Sequence, residues 1–518
     1  MFLVNSLHRA AQVRGNCIAS VHEGRVWTWA QVRDRVARLA SVLRAQGVQT
    51  GDRVAVLGYN TDRFLQAVLS VSWASAVVVP LNTRLAQPEI AYQLEHGQVS
   101  LLMFDPEFAA TAQAAQAAMP ALRLLRLDAP QPGALAPDSD TLIDAAAPLE
   151  DAKPQPGDLM GIFYTGGTTG LPKGVMTTHA SFAHQTTLHM MDLGWTEDTV
   201  YLHVLPMFHI GGLAAAYCVL ALAGRQHYME KFDAAVFVER LAAEHITAAA
   251  LSPVSIGWLL DSPRLSVLDL SALTNLGYGT APITEAILRK AMQRLPGAHF
   301  TQIYGQTEIT GTISVLRPQE HSLDGDAALR LRSAGRASWG VQLRVVDDAG
   351  ADVATGAQGE VIARSPGMMT GYWRDPQQTA STLLGGWLHT GDVGYLDPEG
   401  FLFVVDRKKD MIVTGGENVY SSEVEHAIAS CAGVAQVAVF GIPHPVWGEA
   451  VHAVVFPAVG ARLKSKAIIA HCRTLIAGYK CPQTVEIRAT PLPLSGVNKI
   501  QKHVLREPFW KGHSRRVN

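Results

Sequence analysis

The stretch Arg53-Val-Ala-Val-Leu-Gly-Tyr-Asn-Thr-Asp-Arg-Phe-Leu-Gln-Ala-Val-Leu-Ser-Val-Ser-Trp-Ala-Ser-Ala-Val-Val-Val-Pro80 decides the fold class. Arg53 to Leu57 is a short β-branched run and reads as a strand. A helix is expected from about Asp62, and Ala76 to Val79 reads as a second strand, closed by Pro80. Strand, helix, strand in this order builds a parallel sheet with helices on its faces. Phe64–Thr83 contains no Asp, Glu, Lys or Arg, and neither does Thr199–Gly224. Length alone would admit either as a membrane span of about 20 residues. The second is interrupted by His203, Pro206, His209 and Gly211-Gly212, and the first ends in the strand-like AVVVPLN. Both therefore read as segments buried on two sides in an α/β core.

The same texture extends outward. Thr28-Trp29-Ala30-Gln31 matches a capping box, in which the Thr hydroxyl and the Gln amide satisfy backbone N–H groups reciprocally. Val32, Val36, Leu39 and Leu43 follow at helical spacing until Gly47. Ala234–His245 and Thr247–Leu251 repeat helix then strand. Asp128–Asp158, rich in Ala, Pro and Asp, reads as a surface connection. Hairpin texture takes over from Gly335 to Asp406: Val341–Val346 meets an Asp-Asp-Ala-Gly turn, and Tyr395-Leu396 returns through Asp397-Pro-Glu-Gly400 to Phe401–Val405. Mixed helix and strand resume after Lys409, so a boundary is expected near Arg407–Asp410.

Composition removes several function classes. The 518 residues exceed one ordinary core, and 48% apolar with 17% charged residues is globular. A net charge of −2 offers no basic field for a nucleic acid. Cys17, Cys218, Cys431, Cys472 and Cys481 are scattered with no CxxC pair, which disfavours a disulfide framework or a Cys-based zinc module. The opening carries Arg9 and Arg14 before any long apolar run, unlike a signal peptide, so a cytoplasmic location is expected. Nothing specifies an oligomeric state.

Chemistry concentrates in Tyr164-Thr-Gly-Gly-Thr-Thr-Gly-Leu-Pro-Lys-Gly174. Gly166, Gly167 and Gly170 let backbone N–H groups close on an anion, Thr165, Thr168 and Thr169 add donors, and Lys173 adds a compact charge. That set suits a polyphosphate, but the Walker pattern fails because Gly174 follows the lysine. The segment resembles the phosphate-binding motif of the adenylate-forming superfamily: acyl-CoA synthetases, aryl-CoA ligases, luciferases and adenylation domains. Ile303-Tyr-Gly-Gln-Thr-Glu308, Gly386-Trp-Leu-His-Thr-Gly-Asp392, Asp406-Arg-Lys-Lys-Asp-Met-Ile412, Gly415-Gly-Glu-Asn418 and Leu494-Ser-Gly-Val-Asn-Lys499 resemble its other motifs, in the same order. Gly167 stands where many members carry Ser, and Asn498 where many carry Gly.

The resemblance implies a large N-terminal domain, residues 1–408, with parallel sheets and a barrel-like part at 335–406. A small mobile α+β domain, 409–518, would carry the catalytic Lys499. It implies ATP binding by the Thr165–Lys173 loop, by Gly279-Thr280-Ala281 at a strand end, by Tyr304 as a stacking wall for the base, by Gly305 and Gln306, and by a ribose-binding pair, Asp392 and Arg407; Thr307, donating to a phosphate, and Glu308 would be catalytic with Lys499. Glu308 would hold Mg²⁺, as a hard cation prefers carboxylate oxygen. His209, Tyr278, Gly279, Gly305 and Thr312 would line the acyl pocket, and an Asp at Gly279 should then fill that pocket with the fold intact. Lys409 would be the hinge, and Gly415, Gly416 and Glu417 would serve a second, thioester-forming face.

The implied reaction is attack of a carboxylate on the α-phosphate of ATP, then transfer of the acyl group to coenzyme A with release of AMP. The implied pocket positions hold no Asp, Glu, Lys or Arg, so a neutral small-molecule carboxylic acid is expected; their small residues lean toward a fatty acid. The tail from Pro508 to Asn518 also resembles those of bacterial fatty-acyl-CoA ligases. The alternatives are an aryl acid, a ligase loading a phosphopantetheine carrier protein, and a non-catalytic nucleotide or acyl sensor. A multimodular synthetase is disfavoured because no carrier segment follows Lys499, free coenzyme A against a holo-carrier protein as acceptor would separate the carrier-loading reading, and the sensor reading is disfavoured by retention of Lys499, Glu308, Asp392 and Arg407.

Overall fold

The computed structural model describes residues 3–131, 133, 136–165, 172–408, 410–414, 417–496 and 498–511. The deciding stretch folds as read: strand Arg53–Leu57, helix Asp62–Trp73 capped by the Thr61 hydroxyl, and strand Val77–Pro80 parallel to the first. Both faces of these strands are buried. Val54, Val56 and Val78 pack with the helices Leu3–Arg14, Trp29–Ala45 and Asp62–Trp73, while Ala55, Leu57, Val77 and Val79 pack under the helices Gln87–His96 and Ala109–Ala118. This two-sided burial explains the uncharged runs. Thr199–Gly224 likewise divides into strand Val200–His203 and helix Ile210–Leu222. Among the described residues no helix is long and apolar enough to cross a membrane.

Among the described residues the strands form four sheets. The seven-stranded sheet contains the deciding strands, the hairpin Leu159–Thr165 with Lys173–Thr178, and an edge strand, Gly371–Tyr372. The nine-stranded sheet contains the parallel strands Ala248–Leu251, Asn275–Gly279 and His299–Tyr304. A barrel-like sheet runs through Gln342–Val346, Gly359–Arg364, Trp387–Leu396 and Leu402–Arg407. A fourth sheet, with Ile412–Thr414, Val434–His444 and Gly448–Pro457, packs its own core, which includes Ile412, Val424, Ile428, Val439, Val451 and Val455. The architecture is thus α/β with a smaller α+β C-terminal unit.

The Thr28–Gln31 capping box forms, with both reciprocal bonds present. Asp128–Asp158 differs from its reading as a plain connection. It contains the helix Ser139–Ala145, capped by the Asp138 carboxylate, with Ile143 buried against the main core. Asp140 on that helix takes ion pairs from Arg35 and Arg63. These partners lie far away in sequence, so local composition carried no sign of them.

Candidate active site

The phosphate-loop segment is the turn of a hairpin. Thr165 lies directly opposite Lys173, and Tyr164 opposite Gly174. Gly166, Gly167, Thr168, Thr169 and Gly170 lie outside the described residues. The edge strand Gly371–Tyr372 pairs with Val175 and Met176, which brings Tyr372 beside the lysine. The Lys173 ammonium sits 5.4 Å from the Tyr372 ring centroid. The Tyr372 hydroxyl donates to Glu308 Oε1 at 2.8 Å. Burial and the Glu308 charge hold that hydroxyl's pKa well above its ordinary value. Lys173, Tyr372 and Glu308 therefore form one cluster.

Glu308 is placed by a tightly folded turn after strand His299–Tyr304. A Cβ on Gly305 would collide with the Gly311 carbonyl oxygen, so only glycine fits where the chain doubles back. Gly311 N–H donates to the Gln306 carbonyl, and Ile313 N–H to the Tyr304 carbonyl. Thr310 adopts φ +57°, and its hydroxyl donates to the Gly367 carbonyl at 2.6 Å. Met369 N–H donates to the Glu308 carbonyl. Gln306 and Thr307 are half-buried at the mouth of this turn. With Oε1 taken by Tyr372, Glu308 Oε2 has no hydrogen-bond partner among the described residues, and this donor set fits a magnesium ion bound through carboxylate oxygen and water.

On the facing hairpin, Asp392 and Arg407 are cross-strand partners, with Arg407 Nε 2.9 Å from Asp392 Oδ1. Tyr304 donates its hydroxyl to Asp392 Oδ2 at 2.6 Å. The tyrosine read from sequence as a wall for the base thus also holds the carboxylate. The Lys499 turn packs nearby. Burial and the Arg407 guanidinium lower the Lys499 pKa to about 8. Among the described residues no hydrogen bond or ion pair engages its ammonium. The turn is tight: Ser495 N–H donates to the Lys499 carbonyl, and Lys499 N–H to Ser495 Oγ. Lys409, Gly415 and Gly416 lie outside the described residues; Glu417 is exposed at the start of strand Glu417–Val419.

The acyl-pocket positions divide between two sides of strand Asn275–Gly279. Tyr278 does not present its side chain on the side of the glycines. Strand alternation sends it, with Leu276, into the outer core with Phe237 and Leu259, and its hydroxyl meets His321 Nε2 at 2.9 Å. Gly279 is also corrected. Its Cβ direction points at the Ile303 carbonyl oxygen, inside van der Waals contact, so an Asp there would strike a neighbouring strand's backbone rather than fill a cavity. Gly277 is looser, its Cβ direction meeting Ala250 Cβ at 3.3 Å. Thr280, at the strand end, takes φ +70°, an outlier for a β-branched residue; Ala281 follows, half-buried. Thr312 is fully buried, its hydroxyl bonded to His189 Nδ1 at 2.9 Å. His209 immediately precedes helix Ile210–Leu222. Its Nε2 is buried without a hydrogen-bond partner among the described residues, and burial plus the Arg84 charge pull its pKa to about 4. Burial does the same to His189, so both rings are neutral at pH 7.

Sequence reasoning missed Tyr372, Arg84 and Ser255. Arg84 and Ser255 touch the Lys499 turn. No spacing connects these residues to their partners; strand register and domain placement do.

The AMP-binding enzyme family matches residues 7–373, and its C-terminal domain family matches residues 423–499. The chain belongs to the AMP-binding enzyme family. A feruloyl-CoA synthase from an Amycolatopsis species is 36% identical, over 97% of this chain and 98% of its own length. The long-chain-fatty-acid–CoA ligase FadD13 of Mycobacterium tuberculosis is 33% identical over 93% of each chain. Among solved structures, o-succinylbenzoate CoA synthetase (MenE) from Bacillus subtilis, in complex with its acyl-adenylate intermediate, superimposes with a TM-score of 0.85, at 27% identity and 97% coverage of each chain. The motif residues of this AMP-binding enzyme thus stand in a fold shared over 97% of its length with a CoA synthetase, and it is an AMP-forming acid–CoA ligase.

Proposed function

We propose that this ligase activates a neutral carboxylic acid, preferentially a fatty acid, as its acyl-adenylate and then passes the acyl group to coenzyme A. The observation that supports the reading is that the buried Lys499 ammonium lies within electrostatic reach of Arg407 and Asp392, the latter held by Tyr304. This puts a cation beside the residues suited to holding the ribose. Attack of the carboxylate on the α-phosphate concentrates negative charge there, and a poorly solvated ammonium stabilises it more than a hydrated one would. In this mechanism Lys499 orients the carboxylate and α-phosphate oxygens. Lys173 and Thr165 hold the departing pyrophosphate. Glu308 would hold Mg²⁺, which supplies further neutralisation of phosphate charge when bound. Asp392 accepts from the ribose hydroxyls while Arg407 and Tyr304 fix its orientation. The small domain then rotates about Lys409 to bring the Gly415–Glu417 loop to the thioester step.

Neutrality of the acid is supported by the neutral rings of His189 and His209 and by the lack of Asp, Glu, Lys or Arg among the acyl-pocket candidates. A second reading, an aryl acid, is favoured by the buried Thr312–His189 hydrogen bond, which offers polar groups to a ring substituent, and by the feruloyl-CoA synthase relative. A panel of fatty, cinnamic and benzoic acids assayed for AMP and acyl-CoA separates them. Highest kcat/KM on fatty acids supports the first reading. Highest kcat/KM on a ring acid replaces it with the second, and turnover only on dicarboxylates or amino acids overturns both.

A further inference from the structure

Asn498 adopts φ +57°, a left-handed conformation that glycine reaches freely and asparagine at modest cost. That conformation accounts for the turn accepting this residue just before Lys499. A glycine would suffice for the backbone, so the side chain needs its own explanation, and its contacts supply one. Asn498 Oδ1 accepts from Arg84 Nη1 at 2.9 Å, and Asn498 Nδ2 donates to Ser255 Oγ at 3.2 Å. Arg84 Nη1 also donates to the Ser495 carbonyl at 2.8 Å. Arg84 belongs to the loop after strand Val77–Pro80, and buried Ser255 to the first turn of helix Pro253–Asp261. Both belong to the large N-terminal part; Asn498 and Ser495 belong to the C-terminal part. Gly496 is seated flush, its Cβ direction meeting the Asn82 side-chain amide at 2.8 Å.

We propose that Asn498, with Arg84 and Ser255, is a clamp that positions Lys499 for adenylation and must open before the thioester step. The inference rests on the reading of Lys499 as the adenylation cation. Within the turn, the bonds between Ser495 and Lys499 make the clamped residues and the lysine one rigid unit, so holding Asn498 holds Lys499. The small domain cannot rotate while these bonds persist, because their partners lie on different domains. The clamp therefore weights the adenylation-competent arrangement over the other. Asn498 acts through Lys499 and is a positioning residue.

The test uses the full chain and measures the half-reactions apart: ATP–pyrophosphate exchange for adenylation, and single-turnover thioester formation from synthetic acyl-adenylate and coenzyme A. Asn498→Gly removes the Asn498 bonds to Arg84 and Ser255, leaves the Arg84–Ser495 bond, and keeps the backbone conformation, so folding is not at stake. Loss of neutral and charge-assisted hydrogen bonds should lower exchange kcat/KM by about three- to tenfold. Thioester formation should hold or rise, an opposition that general destabilisation does not produce. Arg84→Ala also removes the bond to the Ser495 carbonyl, so alone it should lower exchange at least as much as Asn498→Gly, and the double variant should lose less than the product of the two single losses because both remove the Arg84–Asn498 bond. An unchanged exchange rate in Asn498→Gly, an equal fall of both half-reactions, or a double variant whose loss equals the full product of the Asn498→Gly and Arg84→Ala losses would overturn the clamp. Lys499→Ala separates this from the underlying reading. Exchange lost in Lys499→Ala but untouched in Asn498→Gly refutes the clamp alone, whereas exchange surviving in Lys499→Ala refutes the role of the lysine itself.

Discussion

Replacing Tyr304 by Phe isolates one hydroxyl. The ring stays, so any stacking against the base stays with it. What is lost is the 2.6 Å hydrogen bond to Asp392 Oδ2. The acceptor is a carboxylate only 5% exposed, so water does not readily take the hydroxyl's place. A hydrogen bond to a charged group contributes about 1.5–3 kcal/mol. Arg407 remains 2.9 Å from the other oxygen and keeps part of the orientation, which argues for the lower end. A loss of about 1.5 kcal/mol in nucleotide binding raises the KM for ATP roughly tenfold. The assay is ATP–pyrophosphate exchange at saturating acid, with Asp392→Asn alongside as the full loss. Tyr304→Phe should fall between wild type and Asp392→Asn, with the KM for the acid little changed. A KM for ATP within about twofold of wild type, while Asp392→Asn is crippled, would refute the argument that this hydroxyl orients the carboxylate.

The Lys499 pKa, lowered from the usual lysine value to about 8, gives a pH prediction. The charged form is the working one, so it is present below pH 8 and lost above it. Exchange kcat/KM should therefore decline above about pH 8, and in Lys499→Arg, whose side chain stays charged, any residual activity should lack that limb; an unchanged alkaline limb in the arginine variant would assign it to another group. Lys173→Ala should lower adenylation kcat/KM by about ten- to a hundredfold through loss of a charge-assisted phosphate contact, and a folded variant with unchanged ATP kinetics would remove the lysine from the phosphate site. Gly279→Ala should destabilise the fold by about 1–3 kcal/mol in denaturant unfolding, because its Cβ meets the Ile303 carbonyl oxygen, while Gly277→Ala should cost less; equal stability of the two would contradict the Cβ geometry.

Much of the fold is a local property of the chain. The valine-bearing strand Arg53–Leu57, the capped helix after Thr61 and the uncharged stretch Phe64–Thr83 needed no distant information, since two-sided burial writes itself into consecutive residues. The phosphate segment, Glu308, Asp392, Arg407 and Lys499 stood out as candidates for a similar reason. Their chemistry depends on residue types at short spacings, and those types resemble a family's motifs. The helix Ser139–Ala145 was hidden because its stability comes from Ile143 burial and from Arg35 and Arg63, none of which an Ala- and Pro-rich composition advertises.

Tertiary structure alone decided the rest. That Tyr278 leaves the glycine side of its strand, and that Gly279 has no room for a side chain, follow from pleat direction and from the strand beside it. That Tyr372 joins Lys173 to Glu308 depends on an edge-strand pairing between segments far apart in the chain. That Asn498 meets Arg84 and Ser255 depends on how one domain rests on another. Sequence by itself determined which chemical groups this protein carries and the alternation of strand and helix around Arg53–Pro80, because those are set by neighbours along the chain. Which groups face one another was decided only by register and docking, because contacts between distant segments leave no periodic trace in either one.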